Sequence, residues 1–413
     1  MKSSDPAQKD PPVTLVTLAN GLRVAAMQLP RSRVDYFGVN VNAGSRDDPE
    51  DAFGMAHMVE HTIFKGTDRH RSSYIINRME AVGGELNAYT TKEETVVYTI
   101  APAGNLRRSA GLIAELIACS VFPPDEVERE REVVVDEISS YLDTPADAVI
   151  DDFEELSFRH PALAHNILGS AESVRDITSN RLREFLKTHY VPERMVVFYC
   201  GPQAPEYVVR EVDRHFGSLR HHSPAVTRQV AEFNPQFDTV HNLDLHQTHT
   251  IIGSPTCNAL SPDRHALLLM TNILGGPGMN SMLNVELREK RGLVYSVDAS
   301  ATLLSDCGML QIYFGCDKSD LGKCIHHVHG AIRRLADGYI SPTRLERAKC
   351  QYLGQLTVAA ENAEGRALGL GRSVQLYGTP PSPDAVTKAI HAVTAADIER
   401  AAATLTLSRL TLA

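Results

Sequence analysis

The feature that most constrains the fold of this chain is an internal duplication within its 413 residues. A strand-like run at 34–44 precedes a helical segment that ends near Gly66. A similar run at 248–253 precedes the helical segment 265–274, which ends near Gly276, 210 positions after Gly66. Self-similarity at a fixed separation indicates that one structural unit is built twice.

A second echo supports the duplication and indicates the fold class. Residues 124–129 (PDEVER) return as residues 342–347 (PTRLER). Each copy also alternates apolar strand-like runs with helical stretches, as at 95–101 and then 105–120. We therefore predict an α+β fold of two similar domains, each a mainly antiparallel sheet with helices packed on one face.

The length and one polar stretch predict where the domains divide. A chain of 413 residues is too long for one core and suits two domains of about 200 residues. Residues 221–236 are polar and contain prolines, as linkers do. We predict an N-terminal domain at 1–220, a linker at 221–236 and a C-terminal domain at 237–413.

Charge and cysteine usage exclude several classes of protein. The formal net charge of -10 and the absence of a Lys/Arg run argue against a nucleic-acid partner. No apolar run approaches membrane-spanning length, and residues 1–12 lack the apolar core of a signal peptide. The seven cysteines are scattered, odd in number and without a C-x-x-C pair, which favours thiols in a reducing compartment. We expect a cytoplasmic protein that does not bind membranes.

The segment His57-Met-Val-Glu60-His61 carries the chemistry expected of a metal site. Residues four apart stack one turn above each other on a helix, so His57 and His61 can bind one tetrahedral zinc ion. Glu60 would then flank the metal and could act as a general base toward bound water. This H-x-x-E-H order is the inverzincin signature. The alternative for so short a motif is a solvated helix face that carries His and Glu.

A third ligand is required because catalytic zinc keeps three protein ligands and one open position. The best candidate is Glu137 in the segment 124–142, which has a proline at its start, acidic residues in its first turn and apolar residues at helical spacing. Glu130 lies two turns earlier on the same face. One of the two carboxylates could bind the metal while the other holds a histidine N–H. The alternative is that both are ordinary surface charges.

The second copy lacks these ligands. At the offset of 210 residues, His57, Glu60 and His61 correspond to Leu267, Met270 and Thr271. At the offset of 218 that relates the two PxxxER segments, Glu130 and Glu137 correspond to Ala348 and Gln355. We therefore expect one metal site per chain, in the N-terminal domain.

These motifs together resemble the pitrilysin/insulinase family of zinc peptidases. The motif at 57–61, Glu137 at 76 residues beyond His61, and Glu130 all match the family pattern. The segments 54–67 (GMAHMVEHTIFKGT) and 83–90 (GGELNAYT) resemble the branch that contains the mitochondrial processing peptidases and their bacterial relatives. The resemblance implies that His57, His61 and Glu137 bind zinc, that Glu60 is the base and that Glu130 is a supporting carboxylate.

The resemblance also implies substrate contacts and a partner. Asn87 and Ala88 match the strand to which an extended peptide adds in similar proteins. Arg288 and Tyr295 match an arginine and a tyrosine that the family's C-terminal domain contributes to the active centre, where they can hold a carbonyl and stabilise an oxyanion. Larger family members enclose substrate in a clamshell of four domains. This chain has two, so the resemblance implies a dimer, and because both residue sets are present we favour a homodimer.

Two classes of function agree with the sequence. The first is a zinc endopeptidase that cleaves unfolded or extended peptides, or precursor segments, inside a closed chamber. The second is a non-catalytic scaffold of the same fold, like the core subunits of respiratory complexes. The retained motif residues favour the endopeptidase, acting as a homodimer or as the catalytic subunit of a heterodimeric processing peptidase. The substrate cannot be predicted from these residues.

Overall fold

The structure is a computed structural model that describes residues 11–220 and 226–413, which form two compact units. The first unit contains the described residues of 1–136, 166–228 and 360–383. The second unit contains residues 137–165, 229–359 and 384–413. Each unit is thus built from segments of both halves of the chain.

The first unit is built on a six-stranded sheet. Its strands are β1 (Val13–Thr17), β2 (Arg23–Gln28), β3 (Val34–Val41), β4 (Glu85–Thr90), β5 (Thr95–Pro102) and β6 (Met195–Gly201). They lie in the order β1-β2-β6-β3-β5-β4, and only β2 and β6 are parallel. Strand β6 is buried along its whole length, as expected for a continuous apolar run at the centre of a sheet.

The second unit repeats this topology with five strands. They are β7 (Asp238–His241), β8 (Thr248–Thr256), β9 (Val294–Leu303), β10 (Gly308–Cys316) and β11 (Ser408–Leu412), in the order β7-β11-β8-β10-β9. Strands β7 and β11 are parallel and the other neighbours are antiparallel. The series β2-β6-β3-β5-β4 therefore has the same directions as β7-β11-β8-β10-β9, which confirms the predicted duplication and the mainly antiparallel α+β class.

The helices also correspond between the two halves. The N-terminal half contains α1 (Met55–Thr62), α2 (Ser72–Glu80), α3 (Leu106–Cys119), α4 (Pro124–Leu142), α5 (Pro145–Ser157), α6 (Pro161–Ala164), α7 (Ala171–Arg175), α8 (Ser179–His189) and α9 (Pro205–Phe216). The C-terminal half contains α10 (Arg264–Gly275), α11 (Leu321–Ala336), α12 (Pro342–Ala360), α13 (Ala363–Tyr377), α14 (Pro383–Ala392) and α15 (Ala395–Ala403), with a π-helix at Asn284–Glu289. Helices α4 and α12 have 19 residues each and begin 218 positions apart, as the sequence echo predicts.

Helices cover both faces of each sheet, which differs from the prediction of one covered face. In the first unit, Phe37 of β3 contacts Phe216 of α9 on one face, with ring centroids 6.4 Å apart. On the other face, Ala367, Leu370 and Val374 of α13 pack with residues of β2, β5 and β6. In the second unit, α10, α11 and α15 line one core cluster, and α5 lines another with β8, β10 and β11.

The two covering helices explain why the units are discontinuous. Helix α5 precedes residue 220 but belongs to the second unit, whereas α13 follows residue 237 but belongs to the first. The two packing units therefore do not coincide with the continuous segments 1–220 and 237–413. The predicted division of the chain at those residues stays a prediction. Of the predicted linker, residues 221–225 lie outside the described residues, and 226–236 contain no helix. Among the described residues, no helix has the length and apolar character needed to cross a bilayer.

Candidate metal centre and adjoining cleft

The helix that carries the H-x-x-E-H motif is fixed at its first turn. Gly54 adopts a φ of 90°, and a Cβ there would lie 2.5 Å from the carbonyl oxygen of Leu168, so the turn into α1 requires glycine. The buried carboxylate of Asp48 accepts hydrogen bonds from the backbone N–H groups of Gly54 (2.7 Å) and Ala56 (2.8 Å). Asp48 thereby stabilises the positive end of the helix dipole.

Helix α1 presents both histidines on one face, as their spacing predicts. His57 is 6% exposed, His61 is partly exposed, and their ring centroids lie 4.5 Å apart. Burial, with a further contribution from His61, lowers the pKa of His57 to about 3. His57 is therefore neutral at physiological pH, and a neutral imidazole is the form that binds a metal.

Helix α4 brings the carboxylates to the histidines. Val127 and Val134 are its buried residues, and Glu130 and Glu137 follow each of them by three positions, so all four lie along one stripe of the helix. The ligand atoms of His57, His61 and Glu137 lie within 4.8 Å of one another. Although the boundary between the two units falls after Asp136, Glu137 is carried by the same uninterrupted helix as Glu130.

Glu130 orients the second histidine. Its Oε2 lies 3.2 Å from Nδ1 of His61, and its Oε1 lies 2.6 Å from Nζ of Lys65. An Nδ1–H donated to this carboxylate leaves the lone pair on Nε2 of His61 for a metal. Two imidazole nitrogens and one carboxylate oxygen are a donor set typical of catalytic zinc, and small side-chain rotations would bring the three onto one ion.

A cleft of about 500 Å³ adjoins these residues. Glu60, His61 and Lys65 lie on one side of it, and the first residues of β4, including Asn87 and Ala88, lie on the other. Strand β4 is the outermost strand of its sheet, paired with β5. Its outer edge can accept another strand through backbone hydrogen bonds.

The contacts of two residues at this site are not visible in the sequence. Lys65 falls within the segment 54–67 that carries the family resemblance, but its place at the site is shown by its contact with Glu130. Tyr190 is buried, and its burial together with the nearby carboxylate of Glu60 raises the pKa of its phenol. Its hydroxyl therefore stays protonated behind the general-base candidate. No local pattern could reveal the role of either residue, because Lys65 contacts Glu130 and Tyr190 interacts with Glu60, and each pair is far apart in the sequence.

Arg288 and Tyr295 belong to the second unit. Arg288 lies in the π-helix Asn284–Glu289, with its side chain 44% exposed. Tyr295 lies on β9, the outermost strand of the second sheet, and is 86% exposed. An aromatic residue this exposed is available to a ligand or a partner chain. Their predicted role at the active centre stays a prediction.

The corresponding place in the second unit is occupied by apolar side chains and by a hydrogen bond between two side-chain amides. Leu267, Met270 and Thr271, the counterparts of the motif residues, are buried in the core of this unit. Gln355, the counterpart of Glu137, accepts a hydrogen bond of 2.8 Å from Nδ2 of Asn272 on α10. A direct amide contact thus joins α10 to α12, whereas the corresponding helices α1 and α4 bring together His57, His61 and Glu137.

Comparisons with known proteins agree with this geometry. Residues 23–171 match the insulinase family, peptidase family M16, and residues 176–352 match the peptidase M16 inactive domain. His57, His61 and Glu137 fall in the first match, and Leu267, Met270 and Thr271 fall in the second. The fold is similar to the crystal structure of a protease from Helicobacter pylori, with a TM-score of 0.90 and 21% identity, covering 97% of this chain and 99% of that one.

Similar sequences extend over nearly the whole chain. An uncharacterized zinc protease of Mycobacterium tuberculosis is 34% identical over 94% of this chain and 89% of its own length. The probable mitochondrial-processing peptidase subunit beta of Arabidopsis thaliana is 28% identical over 95% of this chain and 76% of its own length. This chain belongs to peptidase family M16, the insulinase family, and is a metallopeptidase of that family.

Proposed function

We propose that this metallopeptidase is a zinc endopeptidase that holds one zinc ion per chain between His57, His61 and Glu137. The observation that carries the proposal is the convergence of these three ligand atoms within 4.8 Å. The bond between Glu130 and Nδ1 of His61 supports it, because a carboxylate behind a histidine ligand is characteristic of zinc sites.

The side chains around this centre divide the chemistry between them. Zinc held here would polarise the scissile carbonyl and lower the pKa of a water molecule. Glu60 lines the cleft beside His61, where its carboxylate can accept the proton of the attacking water and pass it to the leaving amine. Glu130 keeps the His61 ring oriented, and burial keeps His57 neutral.

The substrates that this cleft suits are extended peptides. A peptide that adds to the outer edge of β4 would be held by backbone hydrogen bonds along the segment that contains Asn87 and Ala88, irrespective of the peptide's sequence. Most segments of a folded protein already have their backbone groups paired, so we propose unfolded peptides or precursor segments as substrates.

The active assembly is proposed to be a homodimer that encloses its substrate in a chamber. Arg288 and Tyr295 of one subunit would then face the zinc ligands of the other. The exposed phenol of Tyr295 could stabilise the oxyanion, and Arg288 could hold a substrate carbonyl.

All seven cysteines are free thiols, which supports the proposed reducing, cytoplasmic location.

The test compares zinc content with peptide cleavage in purified variants. We expect Glu60→Gln to bind zinc as the wild type does but to cleave at least about 100-fold more slowly, because only the general base is lost. We expect Glu137→Gln to lose zinc, because a neutral amide is a poorer ligand. Glu132→Gln, an exposed glutamate on the same helix, is the matched control and should change neither quantity.

Two results would contradict the proposal. Cleavage by Glu60→Gln at the wild-type rate would remove Glu60 from the role of base. Zinc retained at full stoichiometry by Glu137→Gln would show that the third ligand is a different group.

A further inference from the structure

Lys65 lies at the end of the metal-binding helix, in a turn that neighbouring segments hold in place. Its N–H donates to the carbonyl oxygen of Thr62 (3.0 Å), which closes the turn after α1. Ser120 donates its hydroxyl to the carbonyl oxygen of Ile63 (3.0 Å), and Val121 N–H donates to Gly66 (3.1 Å). These bonds tie the residues on both sides of Lys65 to the segment that leads into α4, so the lysine has a defined position beside that helix.

Both oxygens of the Glu130 carboxylate are engaged from the side of α1. Nζ of Lys65 lies 2.6 Å from Oε1, and Nδ1 of His61 lies 3.2 Å from Oε2. The Glu130 side chain is 12% exposed and that of Lys65 is 26% exposed. A close ion pair with this limited exposure is screened less by water than a surface pair is. The carboxylate is therefore held away from the metal position by two bonds.

Helix α4 offers two carboxylates to the metal, and local sequence does not distinguish them. Glu130 and Glu137 occupy the same stripe, each three positions after a buried valine. Of the two, Glu137 joins His57 and His61 in the group of converging ligand atoms found among the described residues. We propose that Lys65 is a positioning residue that decides between the two glutamates. By pairing with Glu130, it confines that carboxylate to orienting His61 and leaves Glu137 as the metal ligand.

This inference rests on the proposed zinc site and adds a consequence that the site alone does not have. Without the ammonium group, Oε1 of Glu130 loses its charged partner. A carboxylate with limited exposure is then stabilised by pairing with another cation. The metal held by the two histidines is the cation within reach. A chain without Lys65 should therefore tolerate the loss of Glu137 better than the natural chain does.

The test is a double-mutant cycle with zinc affinity as the readout, measured on the full chain by competition with a chromogenic chelator. We expect Lys65→Met to weaken zinc binding about 10-fold, because Glu130, which orients the ligand His61, loses its ion pair. We expect Glu137→Gln to weaken zinc binding at least about 100-fold in the natural background. In the Lys65→Met background, the same substitution should cost only about 10-fold, because Glu130 can replace the missing ligand.

Two further variants separate positioning from folding. Lys65→Arg keeps a cation at this place and should restore the full cost of Glu137→Gln. Adding Glu130→Gln to the Lys65→Met/Glu137→Gln chain should weaken its zinc binding by at least about 10-fold more, because it removes the replacement ligand. A lysine that only stabilised the fold would produce neither effect.

The failures are distinguishable. An equal cost of Glu137→Gln in both backgrounds overturns the role of Lys65 and leaves the zinc site standing. A natural chain that binds no zinc, or that binds it equally well after Glu137→Gln, overturns the proposed function, and the role of Lys65 falls with it.

Discussion

Histidines of the first unit differ in what surrounds their rings. The Nδ1 atom of His61 faces the carboxylate of Glu130 at 3.2 Å. His189 on α8 is 7% exposed and packs against Phe185, with ring centroids 4.3 Å apart. Burial lowers the pKa of His189 to about 4. The carboxylate of Asp47 opposes this change, and the guanidinium groups of Arg194 and Arg228 add to it. His189 is thus kept neutral by its environment and has no part in the proposed chemistry.

We predict that His189 makes the stability of the chain depend on pH. The pKa is near 6.5 in the unfolded chain and about 4 in the folded chain. Between these values the unfolded chain binds more protons, so stability rises with pH through this window and is lost as pH falls through it. Replacing His189 with glutamine should remove up to about 2 kcal/mol of the stability difference between pH 7 and pH 5.

The measurement is urea unfolding at both pH values, compared between His189→Gln and the natural chain. Because the glutamine also alters packing, the difference between the two pH values is the readout, and the stability at one pH is not. His246→Gln, at an exposed position of the second unit, should leave that difference unchanged. An identical pH dependence in the natural chain and the His189 variant would contradict the prediction.

At the scale of residues, the sequence predicts those parts of the site whose geometry is local. His57, Glu60 and His61 lie within five consecutive residues, so helical periodicity alone places them together. Glu137 has no such relation to them, and the family pattern was needed to choose it over Glu130. Lys65 and Tyr190 could not be predicted, because their contacts depend on how α1 meets α4 and α8.

At the scale of elements, the packing of α13 in the first unit depends on one aromatic ring. Phe198 of β6 is 1% exposed and lies opposite Gly38 of β3 in the sheet. A Cβ added at Gly371 of α13 would lie 2.6 Å from Cδ1 of Phe198. A Cβ at Gly38 would meet the same ring, so the phenylalanine is enclosed by two glycines and cannot move away from either.

This arrangement predicts opposite effects for two glycines of one helix. Gly371→Ala should destabilise the chain by about 1–3 kcal/mol, because the added methyl group overpacks the buried ring. Gly369→Ala, two positions earlier, meets no atom within 4 Å and should stabilise the chain by up to about 1 kcal/mol through helix propensity. Thermal unfolding of both variants tests the prediction, and a loss of stability of equal size in the two would contradict it.

The alternation of strands and helices was visible in the sequence, but the two-sided covering of the sheets was not. A helix that follows α4 in the chain would ordinarily be assigned to the same domain as α4. Helix α5 instead packs on the second sheet, and α13 packs on the first. Hydrophobic periodicity shows that a helix has an apolar face and does not show which sheet that face covers.

At the scale of the whole molecule, duplication has produced two units with one topology and different chemistry. The strand directions agree pair for pair, and α4 and α12 have equal lengths. In the N-terminal half of the chain, helices α1 and α4 bring together His57, His61 and Glu137, whereas the corresponding residues of the C-terminal half are core residues and the amide contact between Asn272 and Gln355. Arg288 and Tyr295 lie in the second unit, where Tyr295 is 86% exposed and the side chain of Arg288 is 44% exposed.

The proposed homodimer predicts that activity can be restored between two inactive chains. If each site combines the zinc ligands of one subunit with Tyr295 of the other, Glu60→Gln and Tyr295→Phe remove groups from different subunits of the same site. Co-expression gives dimers of which half contain one chain of each kind, and one site of every such dimer is intact. We therefore expect about a quarter of the wild-type activity from the mixture, above that of either variant alone.

The matched control is the pair Glu60→Gln and Glu137→Gln, which both damage the set of residues around the metal. No combination of these chains contains an undamaged set, so co-expression should restore nothing. The measurement is peptide cleavage by the unfractionated mixture and then by mixed dimers purified through two different affinity tags, one on each chain, which for the Glu60→Gln and Tyr295→Phe pair should show about half of the wild-type activity. Failure of the Glu60→Gln and Tyr295→Phe pair to exceed its separate variants would show that Tyr295 does not complete the site of a partner, because a contribution in trans makes restoration unavoidable.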